Sequence, residues 1–556
     1  VERRNYLVPD APRWPVDPAR PVIQLQGVTK RFGDRVVLDG LDLDVATGKT
    51  TVICGTSGSG KSVLLKLMNG LLLPDEGRVL LFGEDTRSVS GARLLELRKR
   101  VSMMFQNYAL LDSLTVAENI AFPLYENTRM SWAEIEPLVQ DLLVMLNLPD
   151  AGDRLPAALS GGMKKRVSLA RALITNPEVV LFDEPTTGLD PIMIDFVDDM
   201  LAASKERFGI TSVIISHDMG STQRLADTVA MLEGGRVTVR GTPEEVRASG
   251  DPLAAVFFEG AGEELTTARS EPHTGGAARR PGEPGLEHGD GPAEEPAVEL
   301  VDVFKSFGSN AVLRGLSMTI PKGKITVLIG PSGSGKSVIM KHIIGIFRPD
   351  SGAVRVFGRD LSRLSDAELL NVRTRFGMLF QGAALLDAFT VAQNVAFPLR
   401  ERGVRGDELH TRVDEVLGQL RLESLADRFP SEISNGQRKR VGLARAIVTK
   451  PEIMIYDEPT TGQDPVMTRQ VDDMIVEAQE LFRITSIVVS HDMVSAFRTG
   501  HRIALLFNGE IRAFGTPDEV RASQDLLVRR FIYAGTPEGD AAARAIEERA
   551  AAGAAG

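Results

Sequence analysis

The sequence predicts an α/β fold built twice: two tandem P-loop nucleotide-binding domains, each a mixed sheet core plus a helical subdomain. Three observations predict it. Two phosphate-binding loops occur, Gly55-Thr56-Ser57-Gly58-Ser59-Gly60-Lys61-Ser62 and Gly330-Pro331-Ser332-Gly333-Ser334-Gly335-Lys336-Ser337. The offset between the halves holds along the chain: Lys61 and Lys336 are 275 positions apart, Gln106 and Gln381 are 275 apart, and His217 and His491 are 274 apart. Each half also carries a continuous apolar run ending in acids, Val179-Val180-Leu181-Phe182-Asp183-Glu184 and Ile453-Met454-Ile455-Tyr456-Asp457-Glu458. Such runs fit buried parallel strands with their polar ends at a site.

Taken in order, residues 1–20 form a polar, Pro-rich lead that reads as disordered. The first domain, 21–261, opens with the strand pattern Val22-Ile23-Gln24-Leu25. Then come the phosphate loop, a helix, a helical insert around Trp132–Leu148, and the acid-ending strand. Residues 262–297 are rich in Gly, Pro, Glu and Ala and read as a flexible linker with an r.m.s. reach of roughly 30–35 Å. The second domain, 298–535, repeats the order, with its helical insert around Glu408–Leu422. The tail, 536–556, is rich in Ala, Glu and Arg and reads as a frayed helix.

Bulk composition narrows the function. The formal net charge of −11 supplies no global basic field for nucleic acid. The single cysteine, Cys54, excludes an internal disulfide and fits a reducing compartment. Directly before the first loop, it reads as a small buried strand residue. The first residues do not resemble a signal peptide, and no stretch approaches the ~18 apolar residues of a membrane span. A membrane role would therefore need separate spanning subunits.

The chemistry follows from residue types and spacing. In the loops, Gly55, Gly58 and Gly60, with Ser57, let backbone N–H groups turn toward phosphate oxygens, and the following helix aims its N-terminus there. Gly330, Gly333 and Gly335, with Ser332, do the same in the second half. Lys61 and Lys336 place a cation on the terminal phosphates of ATP. Ser62 and Ser337 offer hydroxyls to Mg²⁺, which Asp183 and Asp457 can hold through water. Glu184 and Glu458, one residue on, can orient the attacking water or accept its proton.

At Leu159-Ser160-Gly161-Gly162-Met163 and Ile433-Ser434-Asn435-Gly436-Gln437 the chain resembles the signature motif of ATP-binding-cassette (ABC) ATPases. Gln106 and Gln381 match the family's Q-loop and imply further metal contacts. Gly188-Leu189-Asp190 and Gly462-Gln463-Asp464 match the D-loop, and His217 and His491 the switch histidine. The resemblance covers nearly all of both halves. It implies a head-to-tail pairing of the halves in cis, with Ser160, Gly161 and Gly162 of one half and Ser434, Gly436 and Gln437 of the other binding ATP. It also implies that His217 and His491 reach the γ-phosphate. Phe32 and Phe307 stand where the family stacks an aromatic on adenine, though core burial competes for such side chains. Asn435 stands where the family has glycine. A side chain there could crowd the phosphate or forbid a φ > 0 backbone, which would make the site of Lys61 with Ser434 the slower one.

A narrower resemblance is carried by Gly377-Met378-Leu379-Phe380-Gln381-Gly382-Ala383-Ala384-Leu385-Leu386-Asp387 and Val391-Ala392-Gln393-Asn394-Val395-Ala396-Phe397-Pro398-Leu399. These segments are similar to the ATPases of Mla- and Mce-type transporters, which move phospholipids or related lipids across the bacterial envelope. The ending Val528-Arg529-Arg530-Phe531-Ile532 is similar to that group's actinobacterial members. The resemblance implies Mla/Mce-type integral permeases and lipid-binding envelope proteins as partners. It implies a peripheral place on the cytoplasmic face of the inner membrane. Leu110, Leu111, Leu385 and Leu386 follow the Q-loop glutamines; they are either permease-docking residues or core. A small-solute importer ATPase and a ribosome-associated tandem ATPase are the competing functions, and the Pro/Gly-rich linker disfavours the long helical connection of the latter.

Overall fold

The computed structural model describes residues 20–106, 108–259, 295–534 and 536–554. The Pro-rich lead at 1–19 and most of the expected linker, 260–294, lie outside the described residues. The chain divides into two compact units, one from each half.

In the first unit the strand Thr50–Gly55 is central, and all six of its residues are buried. It pairs in parallel with Thr211–Ile215 on one side and Thr228–Glu233 on the other. Val179–Asp183 and Val101–Met104 extend the parallel sheet, and Arg236–Gly241 closes the far edge antiparallel. Because side chains alternate across a strand, Val52 and Cys54 enter one core and Ile53 the other. The second core, with Val179, Leu181, Val213 and Leu232, is shared with a four-stranded antiparallel sheet ordered Arg35–Val45, Ile23–Phe32, Glu76–Leu81, Glu84–Asp85. That sheet was legible only at its opening strand. Burial pushes the Cys54 thiol up to about 12, so the residue behaves as an apolar one.

The first core is closed by helices. Trp132–Met145 buries Ile135, Leu138, Val139, Leu142 and Leu143, the i, i+3, i+4, i+7, i+8 stripe of one amphipathic face. Val116–Asn127 starts at a capping box, Thr115 with Glu118. Gly161–Leu173 starts at Ser160, whose Oγ accepts from Met163 N.

The second unit repeats this plan. Its six-stranded sheet places Ile325–Ile329 between Thr485–Val489 and Arg502–Phe507, and its antiparallel sheet is built on Pro296–Phe307 and Asn310–Pro321. The helix Gly406–Gln419 buries Leu409, Val413, Val416 and Leu417. In the tail, Pro537–Ala554 is one helix, packed on Leu526–Ile532 with Ala542 buried and Arg529 paired to Glu538.

Candidate active site

The phosphate loops sit between a buried strand and a helix N-terminus in each unit. In the first, Lys61 starts the helix Lys61–Met68 and is buried. Its Nζ donates to Gly55 O and Thr56 O, both at 2.8 Å. Lys336 makes the matching bonds to Gly330 O at 2.6 Å and Pro331 O at 2.9 Å. Burial depresses the Lys61 ammonium below its ordinary range, against the carboxylates of Glu184 and others. The hydroxyls of Ser59 and Ser334 are buried inside the loops with no partner among the described residues.

The acid-ending strands bring the remaining groups to the loop. The Asp183 side chain bonds Ser62 and is raised, chiefly by burial and then by Glu184 beside it. Asp457 is raised for the same two reasons. Glu184 and Glu458 lie just past the strand ends in left-handed backbone, φ 53 and 48. For a glutamate this conformation costs roughly 1 kcal/mol or more. Glu184 N donates to Ile215 O and Glu458 N to Val489 O, which ties each residue to the neighbouring strand.

In the first unit Glu184 collects three partners. Gln106 Nε2 donates to Oε2 at 2.7 Å, Thr187 Oγ1 donates to Oε2 at 3.0 Å, and His217 Nε2 stands 3.0 Å from Oε1. Burial would raise this carboxyl, but the His217 and Thr187 bonds and Lys61 outweigh it, leaving it below the usual range. His217 Nδ1 is buried without a partner among the described residues. The second unit is looser. Thr461 Oγ1 donates to Glu458 at 3.2 Å and His491 Nδ1 stands 3.7 Å from Glu458; Gln381, like Gln106, is exposed.

The residues present fit a magnesium nucleotide. The loop lysine rests on carbonyls it could exchange for phosphate oxygens, a hydroxyl and a carboxylate already meet at Ser62 and Asp183, and orphaned polar atoms remain at Ser59 and His217. Such an ion would bind through oxygen and water.

Phe32 and Phe307 are 50% and 44% exposed at the ends of their strands, so core burial does not account for them. Each has a lysine near its ring, Lys30 and Lys305, both 5.7 Å from the centroid. Phe307 also meets Phe347 edge-on at 5.4 Å; the first unit has Leu72 in place of Phe347.

The signature segments correct one expectation. Asn435 is the first residue of the helix Asn435–Ile447 and has no positive φ, and neither do Gly161, Gly162 or Gly436. No left-handed backbone is required there. A Cβ on Gly161 would meet only Tyr108 Oη, at 3.4 Å, an ordinary contact. The matched position in the second unit is Ala383, so Asn435 accompanies the loss of that tyrosine. The second signature is also the better capped. Gln437 N donates to Ser434 Oγ, and Ser434 N donates to Gln437 Oε1 at 2.9 Å, a reciprocal box that Met163 cannot make. Asn435→Gly is therefore expected to change turnover at its site by less than about twofold and to lower stability by about 0.5–1 kcal/mol from added backbone entropy. Single-site rates, with the opposite glutamate disabled, and melting curves check this.

The apolar segments after the Q-loops are split. Leu111 and Leu386 are 42% and 39% exposed, whereas Leu110 and Leu385 are partly buried. Fully buried Asn119 holds the Leu111 backbone: Leu111 N donates to Asn119 Oδ1 at 2.8 Å, and Asn119 Nδ2 donates to Leu111 O at 3.0 Å. Asn394 clamps Leu386 at the same two distances. Sequence reasoning missed both asparagines, although Asn394 lies in the quoted Val391–Leu399 segment and Asn119 in its first-half counterpart, Asn119-Ile120-Ala121-Phe122-Pro123-Leu124. It also missed Lys165, buried in the signature helix. Lys165 Nζ donates to Thr187 O at 2.5 Å, and burial lowers it to about 8. Lys439, its counterpart, donates instead to Pro459 O, two residues earlier in the matching loop.

Both halves match known proteins. A family model described as ABC transporter matches residues 38–187 and 313–461. A putative ABC transporter ATP-binding protein of Vibrio parahaemolyticus is 30% identical, over 89% of this chain and 88% of its own. A probable multidrug ABC transporter ATP-binding protein of Escherichia coli is 29% identical, over 90% of this chain and 94% of its own. Among solved structures, cbiO1 from Clostridium perfringens, part of an ABC transporter complex, is 28% identical, with a TM-score of 0.40 over 42% of this chain and 94% of its own.

Proposed function

Because this chain belongs to the ABC transporter family, as an ATP-hydrolysing subunit with two cassettes in one polypeptide, we propose that it energises the movement of phospholipid or another envelope lipid through an integral permease. The observation that carries the lipid reading is the segment from Gly377 to Leu399, which resembles the Mla/Mce-type ATPases and ends its Q-loop in an exposed Leu386 held by Asn394. Among the described residues no helix is long and apolar enough to cross a membrane. The chain would then sit peripherally on the cytoplasmic face, held by the permease.

In this reading Glu184 and Glu458 hold the attacking water, His217 and His491 reach the γ-phosphate, and Gln106 and Gln381 report the state of the site to the docking segment. Mg²⁺, bound by Ser62 with Asp183 and by Ser337 with Asp457, would neutralise charge developing on the phosphates. Phe32 and Phe307 would carry the adenine. The halves would pair in cis, as the duplication suggests.

Leu111 and Leu386 test the docking assignment. Changing both to Ser should weaken permease binding at least tenfold in pull-down while the melting temperature and ATP affinity of the isolated chain hold. A core role predicts instead a loss of about 2–5 kcal/mol per leucine. Early unfolding with poor ATP binding would remove the docking role.

A further inference from the structure

The residues just past each Q-loop glutamine adopt an unusual backbone. Tyr108 and Ala109 have φ 60 and 49, and Ala383 and Ala384 have φ 59 and 49. Two adjacent non-glycine residues in the left-handed region are sterically disfavoured, and the pair occurs in both halves. Such strain persists only where surrounding structure over-determines it.

One side chain does so in each unit. Arg171 Nη1 donates to Ala109 O at 2.6 Å and Nη2 to Tyr108 O at 2.8 Å. Arg445 repeats the fork, with Nη1 to Ala384 O at 2.5 Å and Nη2 to Ala383 O at 2.8 Å. Ser168 Oγ adds a third bond to Tyr108 O at 3.1 Å. Neither guanidinium has an acidic partner among the described residues, and burial lowers both below their ordinary value. The planar fork is thus spent on two strained carbonyls rather than on an ion pair.

The position of these arginines gives the fork a consequence. Both lie in the last turn of the signature helix, Gly161–Leu173 or Asn435–Ile447, whose N-caps are Ser160 and Ser434. Eleven residues separate serine from arginine in each half, about 16 Å along a helix. At one end the helix presents the signature serine. At the other it grips the Q-loop exit, immediately before Leu110-Leu111 or Leu385-Leu386. Between them Lys165 holds Thr187 O, in the loop that follows Glu184.

We propose that Arg171 and Arg445 are positioning residues that lock the strained Q-loop exit to the signature helix, so that the docking segment, the signature serine and the loop after the catalytic glutamate move as one body. The proposal rests on the assignment of ATP sites above but not on the identity of the cargo.

The test uses the full chain with Arg171→Lys and Arg445→Lys. Lysine keeps the charge but cannot bridge two carbonyls in a fixed plane. A companion set adds Ala383→Gly and Ala384→Gly, which removes the left-handed penalty. Amide hydrogen exchange at Leu111 and Leu386 is followed with and without Mg-ATP, beside KM, kcat and the melting temperature. In the unmutated chain ATP should slow exchange at both leucines. In the lysine variants that response should vanish and kcat should fall about tenfold, with KM within about twofold. The glycine pair should restore melting temperature lost through Arg445→Lys without restoring the response at Leu386. A purely structural arginine predicts otherwise: the glycine pair would return kcat and the ATP response together with stability. That result, or a lysine variant with an unchanged ATP response and kcat, overturns the proposal. Failure of the unmutated chain to bind Mg-ATP would overturn the site assignment itself.

Discussion

Replacing Glu184 and Glu458 together with Gln is expected to lower ATP turnover by about 10²-fold or more, while ATP still binds. The geometry explains why these two carboxylates are singled out. Each sits at φ near 50, a conformation a glutamate adopts at a cost, with its backbone N–H tied to the neighbouring strand. In the first unit its oxygens meet Gln106, Thr187 and His217. The carboxyl is held below its usual range by the His217 and Thr187 bonds and by Lys61, which together outweigh its burial. Glutamine keeps the shape and accepts hydrogen bonds, but it cannot take a proton from water. Nucleotide binding rests instead on the phosphate loop and should be retained. Steady-state ATPase beside equilibrium binding of radiolabelled ATP separates the two, and near-normal turnover in the double variant removes the water-activating role.

Alanine at Gly55 and Gly330 is expected to produce the second large effect, a loss of ATP affinity of about 10²-fold at each altered site. A Cβ on Gly55 would lie 2.2 Å from Leu232 O, and one on Gly330 2.1 Å from Leu506 O. Those carbonyls belong to strands of the central sheet, so the loop must shift rather than its neighbour. Gly58 and Gly333 form the comparison. Their φ values are +83 and +81, but nothing lies within 4 Å of a Cβ there. Alanine at those positions pays only the backbone penalty of roughly 1–2 kcal/mol, about tenfold or somewhat more. Affinity measured for the four single variants should fall in that order. An equal loss at all four would show that conformational freedom, not the close approach of the sheet, decides the loop.

Much of this site was legible in the residues because its chemistry is local. A lysine and a serine at the end of a glycine-rich turn, and two acids at the end of an apolar run, declare themselves by spacing. The strand and helix order around them follows from periodicity. What stayed hidden depends on backbone angles and on contacts between distant segments. Asn435 was expected to strain a glycine conformation, yet its position is the first residue of an ordinary helix. The left-handed pairs at Tyr108-Ala109 and Ala383-Ala384 contain no glycine to announce them, and the arginines that hold them are 60 or more positions away. Leu110 and Leu111 are adjacent and chemically alike, so composition could not divide them into one partly buried and one exposed residue. The second core became visible only when the antiparallel sheet was seen to cover the alternate residues of the central strands.

Whether this chain drives lipid movement through a permease gripped by Leu111 and Leu386 is decided by purifying the full chain in mild detergent from cells that express it and identifying what accompanies it. Lipid transport predicts an integral permease together with lipid-binding envelope proteins, and ATPase activity of the complex that rises when phospholipid is supplied. Copurification with ribosomes, or with a permease whose ATPase responds to a small solute and not to phospholipid, would contradict it.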